Sequence, residues 1–216
     1  MKRKLLAVAF AALGPLAVQA GVLKVSVLDK EGRPVPDAVV VLAPAAPGAP
    51  KPLPARITIT QEKMRFAPAV SLVGVGAQAV FVNNDPWEHH VRASPAGLLA
   101  FDSGQAGGFE RRIDGKPEGR PAHAVEARFD RAGPVLLGCH LHASMRAHVY
   151  VSDTPWAALT GNDGTTTFDA VPEGPVRIRV WQAEQLLELP PQQLTLTAAP
   201  AAATVRLQVV PRRKRV

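Results

Sequence analysis

The chain of 216 residues has a single cysteine, Cys139, so it can form no internal disulfide. An unpaired thiol that survives in an oxidising setting is either buried and inert or held as a thiolate by a metal. Helical periodicity is scarce as well. No long stretch keeps apolar residues at three-and-four spacing, which argues against a helical architecture. There is no basic face: the formal charge of +7 comes from Lys2, Arg3, Lys4 and Arg212, Arg213, Lys214, Arg215 at the two ends, and the body between them holds 18 basic and 18 acidic residues. A surface that tracks phosphates is therefore not expected, and nucleic acid is not an expected partner. Neither a Ser, His and carboxylate grouping nor a GxSxG is present, so the expectation is a protein that is not an enzyme.

The first twenty residues, "MKRKLLAVAFAALGPLAVQA", run from a basic start through an apolar stretch to a small-x-small ending. They read as a signal peptide for export, cut after Ala20. Gly14 and Pro15 interrupt the apolar run, which is short for a spanning helix, so no transmembrane segment is expected after cleavage. No cysteine follows the cleavage point to carry a lipid. The basic tail, residues 212–216, reads as a solvated end able to dock weakly on an acidic partner or a membrane surface.

Strand signals are abundant. With 21 prolines and 17 glycines set between short period-two runs, the fold class reads as all-β. "VLKVSVLD" puts Leu23, Val25 and Val27 on one face, "EGRP" turns the chain, and "AVVVL" returns it. Residues 43–54, "APAAPGAPKPLP", form a proline and alanine linker that marks a boundary. From Arg56 the pattern resumes, with Gly76 between two extended runs and "NND" closing the second. Residues 103–124, glycine-rich and charged, read as a surface excursion outside the core. The final third adds a turn at Asn162, Asp163 and Gly164, then strands through Phe168, through Val176, Ile178 and Val180, and through "QLTLTAAPAAATVRLQVV".

The chemistry concentrates in "VLLGCHLHASMRAH", residues 135–148. Two imidazoles, a thiolate and a more distant thioether suit copper in both oxidation states, because soft sulfur favours Cu(I) and nitrogen favours Cu(II). Cys139, His142 and Met145 at CxxHxxM spacing offer three such ligands on one loop between two strands. A fourth must come from elsewhere, and "FVNNDPWEHHVRA" offers His89 and His90 just after a strand. Zinc fits less well, since a thioether is a poor ligand for it.

These segments resemble the cupredoxins, the blue copper proteins such as plastocyanin and amicyanin. The resemblance covers roughly residues 55–152, through "MRFAPAV", "VGAQAVFVNND", the following His and Val, "FDSG" and the CxxHxxM loop, whose spacing is similar to that of amicyanin. It implies a Greek-key β-sandwich and one copper ion in a type 1 site. In the family's first histidine motif the ligand follows an Asn-Asp turn and lies two before a Val, which selects His89 over His90. The implied metal ligands are thus His89, Cys139, His142 and Met145, with His142 as the surface electron port beside Leu141 and Ala143. His140 is expected at the surface or just behind the ligands, His123 and His148 in solvent, and Asn83, Asn84 or Asp85 bracing the cysteine loop. Glu88, where relatives carry a proline or a neutral residue, would place a carboxylate beside the copper.

The flanks, "LKVSVLDKEGRPVPDAVVVL" and "ALTGNDGTTTFDAVPEGPVRIRVW", resemble two halves of a carboxypeptidase-regulatory-like, or transthyretin-like, small β-sandwich. Neither half can bury both faces alone. The expected organisation is therefore a signal peptide (1–20), a first half-sandwich with linker (21–54), a cupredoxin domain (55–152), a second half-sandwich (153–211) and the tail (212–216). The whole looks like bacterial exported proteins labelled methylamine utilization proteins. The function implied is a periplasmic carrier of single electrons between redox partner proteins. The alternative is a copper-binding or copper-delivery module in which His90, His140 and Glu88 help to hold metal in a looser site.

Overall fold

The computed structural model describes residues 20–96 and 108–211. The expected signal peptide up to residue 19, the "FDSG" stretch and the basic tail at 212–216 lie outside them. Sixteen strands and no helix are present among the described residues. In chain order they are β1 (Ala20–Leu28), β2 (Val39–Pro44), β3 (Arg56–Glu62), β4 (Arg65–Ala67), β5 (Val70–Gly74), β6 (Ala77–Asn83), β7 (His89–Pro95) and β8 (Phe109–Ile113). They continue as β9 (His123–Phe129), β10 (Gly133–Cys139), β11 (Arg146–Ser152), β12 (Ala157–Leu159), β13 (Thr165–Pro172), β14 (Gly174–Trp181), β15 (Gln192–Leu196) and β16 (Ala201–Arg206).

Four sheets result, in the orders β13-β1-β16, β12-β2-β14-β15, β4-β3-β6-β9 and β5-β11-β10-β7-β8. The first two share one apolar core. Leu23, Val25 and Val27 of β1 are fully buried there against Val40, Leu42, Phe168, Val176 and Ile178. The alternation anticipated for β1 thus sets which face is covered, and each such side chain contributes about 1.5–3 kcal/mol on burial. The first and last strands of the described residues meet in this core: β1 runs antiparallel to β13 and parallel to β16. "EGRP" does turn the chain, but β1 and β2 do not pair as a hairpin. They lie in facing sheets, because each needs a different partner to cover its apolar face.

The other two sheets enclose a second core, with Ile59, Phe81, Val91, Ile113, Leu137, Met145 and Val149 at its centre. Gly76 separates β5 from β6 at φ 85°, a conformation that glycine adopts without steric cost. Between the two cores lies a smaller apolar layer of Val39, Val41 and Ala157 with Leu53, Leu72, Tyr150 and Trp181. Strand β2 explains it: Val39, Val40, Val41 and Leu42 are all buried, so alternate residues serve two layers. The Trp181 ring packs on Tyr150 at 5.5 Å and on His148 at 5.6 Å between centroids. His148, expected in solvent, is therefore half-covered at this junction; His123 is exposed as expected.

The proline-rich stretch packs on its surroundings: a side chain at Gly48 would lie 2.6 Å from Pro172 and 2.9 Å from Trp156, and Leu53 joins the junction layer. One expectation needs correction: the segment 103–124 is not only an excursion. Its residues Phe109–Ile113 form β8 at the edge of the five-stranded sheet, and Ile113 enters the core. The charged run "ERR" conceals this, because an edge strand exposes most of its side chains.

Candidate metal centre

Strand β7 carries His89, Val91 and Ala93 inward and His90 and Arg92 outward, as a two-residue period requires. Strand β10 pairs antiparallel with it, Cys139 opposite Val91, and ends at the cysteine. The chain then turns back into β11, which pairs with β10 from Gly138 and Arg146 onward. A hydrogen bond from the Met145 N–H to the His142 carbonyl, at 3.0 Å, tightens that loop. His142 is consequently folded back over the end of the sheet, beside His89.

Three ligand atoms meet there. His89 Nδ1 lies 3.2 Å from His142 Nδ1, Cys139 Sγ lies 3.7 Å from His89 Nδ1, and Cys139 Sγ lies 3.5 Å from His142 Nδ1. Among the described residues this is the one group of three His, Cys, Asp or Glu side chains whose ligand atoms, as they stand, all lie within 4.8 Å of one another. A point equidistant from the three atoms lies about 2.0 Å from each, close to the usual metal–nitrogen distance and slightly short of the usual metal–thiolate distance. The residues therefore fit a metal ion, which the two imidazoles and the thiolate would hold. Met145 closes the loop and is buried in the same core as Cys139.

His89 is held from behind. Its Nε2 donates to Asp85 Oδ2 at 2.8 Å, which leaves Nδ1 as a lone pair aimed between Cys139 and His142. Asp85 is buried and also accepts from the Lys63 and Met64 N–H groups, at 2.6 and 3.0 Å. Burial pushes its carboxyl upward, but the Met64 N–H, the His89 ring and the Lys63 N–H together outweigh this and hold it below the ordinary carboxylate value. The carboxylate stays ionised and keeps the His89 tautomer fixed. Lys63 and Met64 form the tight turn between β3 and β4 with φ of 51° and 56°, a strained turn for two non-glycine residues. Asp85 thus ties this turn to the ligand strand.

Asn83 completes the support. Its Nδ2 donates to the carbonyls of Trp87, Ile113 and Asp114, and its Oδ1 accepts from the Asp85 N–H. The Asn83 and Asp85 side chains therefore hold the loop before His89, and the carbonyls that Asn83 meets at the end of β8 are not on the cysteine loop. The Lys116 N–H donates to the Asp85 carbonyl at 2.7 Å, and Gly115 lies so close to Pro86 that a side chain there would sit 2.2 Å from its carbonyl oxygen. The segment anticipated as a surface excursion thus buttresses the site. The sequence signal for Asp85 was its position four residues before His89.

The remaining candidates separate cleanly. His90 faces outward, its Nε2 3.3 Å from Glu88 and its Nδ1 3.5 Å from Glu110. Glu88 pairs with Arg112 as well, so its carboxylate engages the outer face. His140 is exposed, 4.0 Å from Glu110. His142 is half-buried, while Leu141 and Ala143 beside it are exposed. Trp87 and Met64, on neighbouring loops, are also exposed, and neither stood out in the sequence.

No family model and no curated protein matches the chain. Solved structures do. Amicyanin from Paracoccus versutus (Thiobacillus versutus) is 21% identical, over 51% of this chain and 97% of that one, with a TM-score of 0.34. An oxidised amicyanin with lysine in place of a methionine is 18% identical over 52% and 99%, with a TM-score of 0.36. A reduced amicyanin with phenylalanine in place of a proline is 21% identical over 52% and 99%, with a TM-score of 0.32. A likeness of this extent adds nothing to what the side chains establish: an all-β chain that brings two histidines and its single cysteine together at one end of a sheet.

Proposed function

We propose that the chain is an exported carrier of single electrons, holding one copper ion between His89, Cys139 and His142 with the Met145 thioether as a fourth, weaker ligand. The observation that carries this reading is the triangle of His89 Nδ1, His142 Nδ1 and Cys139 Sγ, all within 3.7 Å of one another. Copper when bound would supply a reversible one-electron couple, for which a mixed nitrogen and sulfur ligand set suits both oxidation states. His89, fixed through Asp85, and Cys139, at the end of a paired strand, resist rearrangement. The core beneath them keeps water from the buried sides, and half-buried His142 offers a path to a partner protein beside Leu141 and Ala143. On this reading residues 55–152 are a copper domain inserted between the halves, 21–54 and 153–211, of a second sandwich that supports or docks. The expected setting is the periplasm. In the structure no helix of the described residues is long and apolar enough to cross a membrane.

A copper-delivery module is the rival, in which His90, His140 and Glu88 would join the inner ligands in one looser site; they engage the outer face of the sheet, away from the inner triangle, which speaks against that shared site. The test is a copper-loaded sample. Intense visible absorption that bleaches with ascorbate supports the electron carrier, and a nearly colourless complex supports delivery. Cys139→Ser should remove the colour. Loss of colour in His90→Ala but not in His89→Ala would overturn the ligand set.

A further inference from the structure

We propose a second cation site on the outer face of the same sheet, where His90, His140 and Glu110 take a borderline divalent cation such as Zn2+. It stands apart from the copper reading, since it shares no side chain with the inner centre.

The backbone creates it. His90 follows His89 and His140 follows Cys139, so the alternation that turns the inner ligands into the core turns these two outward. Beyond the Cys139–Val91 pair, the His140 N–H donates to the His90 carbonyl at 3.3 Å, which makes the two histidines cross-strand neighbours. Their ring centroids are 6.3 Å apart. Glu110 comes from β8, two pairs along from the His90–Arg112 pair and so on the same face, opposite Arg92. A diagonal neighbour of this kind is within reach of a long side chain. Its Oε1 lies 3.5 Å from His90 Nδ1 and 4.0 Å from His140 Nδ1, so one carboxylate oxygen faces imidazoles from two different strands.

The opposite ring nitrogen of His90 is held by Glu88, 3.3 Å away, and the other Glu88 oxygen is fixed by Arg112. That is the arrangement by which an outer carboxylate orients a ligating histidine. Two imidazoles and a carboxylate suit Zn2+ or Cu2+, and without sulfur they do not favour Cu(I). The side chains of His140 and Glu110 are 61% and 54% exposed, so they are free to close to the roughly 2.0–2.2 Å that such ions require, with water filling the remaining positions.

The test uses the full chain without any appended histidine tag, titrated with Zn2+ while histidine ring signals are followed by NMR and bound metal is counted by equilibrium dialysis. Signals of His90 and His140 should shift together while that of His123 stays in place, and the shift should persist in Cys139→Ser. The double substitution His140→Ala with Glu110→Gln should lose one equivalent of zinc and keep the parent's folded spectrum. Unmoved His90 and His140 signals, equal shifts at every histidine, or a zinc count unchanged by the double substitution would each overturn the proposal.

Discussion

The two cores bury comparable apolar side chains but treat buried polar groups differently. In the core around Leu23 and Ile178, the buried polar groups are satisfied separately from one another: Asp29 accepts from the nearby Glu31 and Arg33 N–H groups, Thr160 bridges the distant Val35 carbonyl and Ala38 N–H, and Gln185 joins the Leu187 carbonyl to the Gln208 N–H. In the core around Phe81 and Leu137, Asn83, Asp85 and His89 form one connected chain that ends at an open triangle of ligand atoms. Burying polar groups is costly unless they are bonded. In the first core separate, unconnected bonds satisfy them; in the second, the network itself serves to orient one imidazole.

The largest effect expected separates the cores outright. Phe81→Ala removes a fully buried ring and should cost about 3–5 kcal/mol, taking the copper absorption with it. Ile178→Ala should cost about 2–5 kcal/mol in the other core yet leave the visible spectrum of the folded fraction intact. Urea unfolding followed by far-UV dichroism and by visible absorption reads both; equal loss of colour in the two variants would mean that the cores do not act separately.

Next in size is Asp85→Asn. The carboxylate accepts from three N–H groups, and an amide has one oxygen to offer, so a donor must face a donor. Copper affinity should fall about 10–100-fold in a chelator competition, while Asp29→Asn, altering the buried carboxylate of the other core, should leave it unchanged.

A smaller effect of opposite sign is expected at Gln61. Its side chain is fully buried, and neither amide atom has a hydrogen-bond partner among the described residues. Gln61→Leu should raise stability by about 1–2 kcal/mol in urea melts. Destabilisation instead would show that this amide belongs to the polar network.

The mildest prediction concerns acid. Burial raises the Asp29 carboxyl, but the Arg33 N–H and guanidinium and the Glu31 N–H more than offset this and leave it below its ordinary value. A lowered folded value means that its contribution is complete above the unfolded value, about pH 4, and is lost as pH falls through the lower folded value. Asp29→Asn should therefore flatten the acid side of the stability curve, and an unchanged slope in urea midpoints between about pH 5 and 2 would contradict it.

Much of this was legible in the sequence because it is local. The alternation of Leu23, Val25 and Val27 fixes a buried face, Gly76 and Gly164 mark turns at positive φ, and the CxxHxxM spacing places three candidate ligands on one loop. The strand role of "FERRI" was hidden by its charges, and so was the doubled burial of β2, although the unbroken run Val39, Val40, Val41, Leu42 carried the signal. The service of Asp85 was half-visible: its i,i+4 spacing to His89 was there, but nothing local tells that its other contacts come from Lys63 and Met64, 22 and 21 residues earlier.

By itself the sequence determined the all-β class, because two-residue alternation and frequent turn residues admit little else, and it determined which side chains could serve copper, because ligand chemistry belongs to residue type. Only the tertiary structure decided which of His89 and His90 turns inward, since that depends on the register of β7 against β10 and not on the identity of either residue. It alone decided that residues 50 apart in the chain come within one ion's reach, because strand pairing, a non-local event, sets that distance.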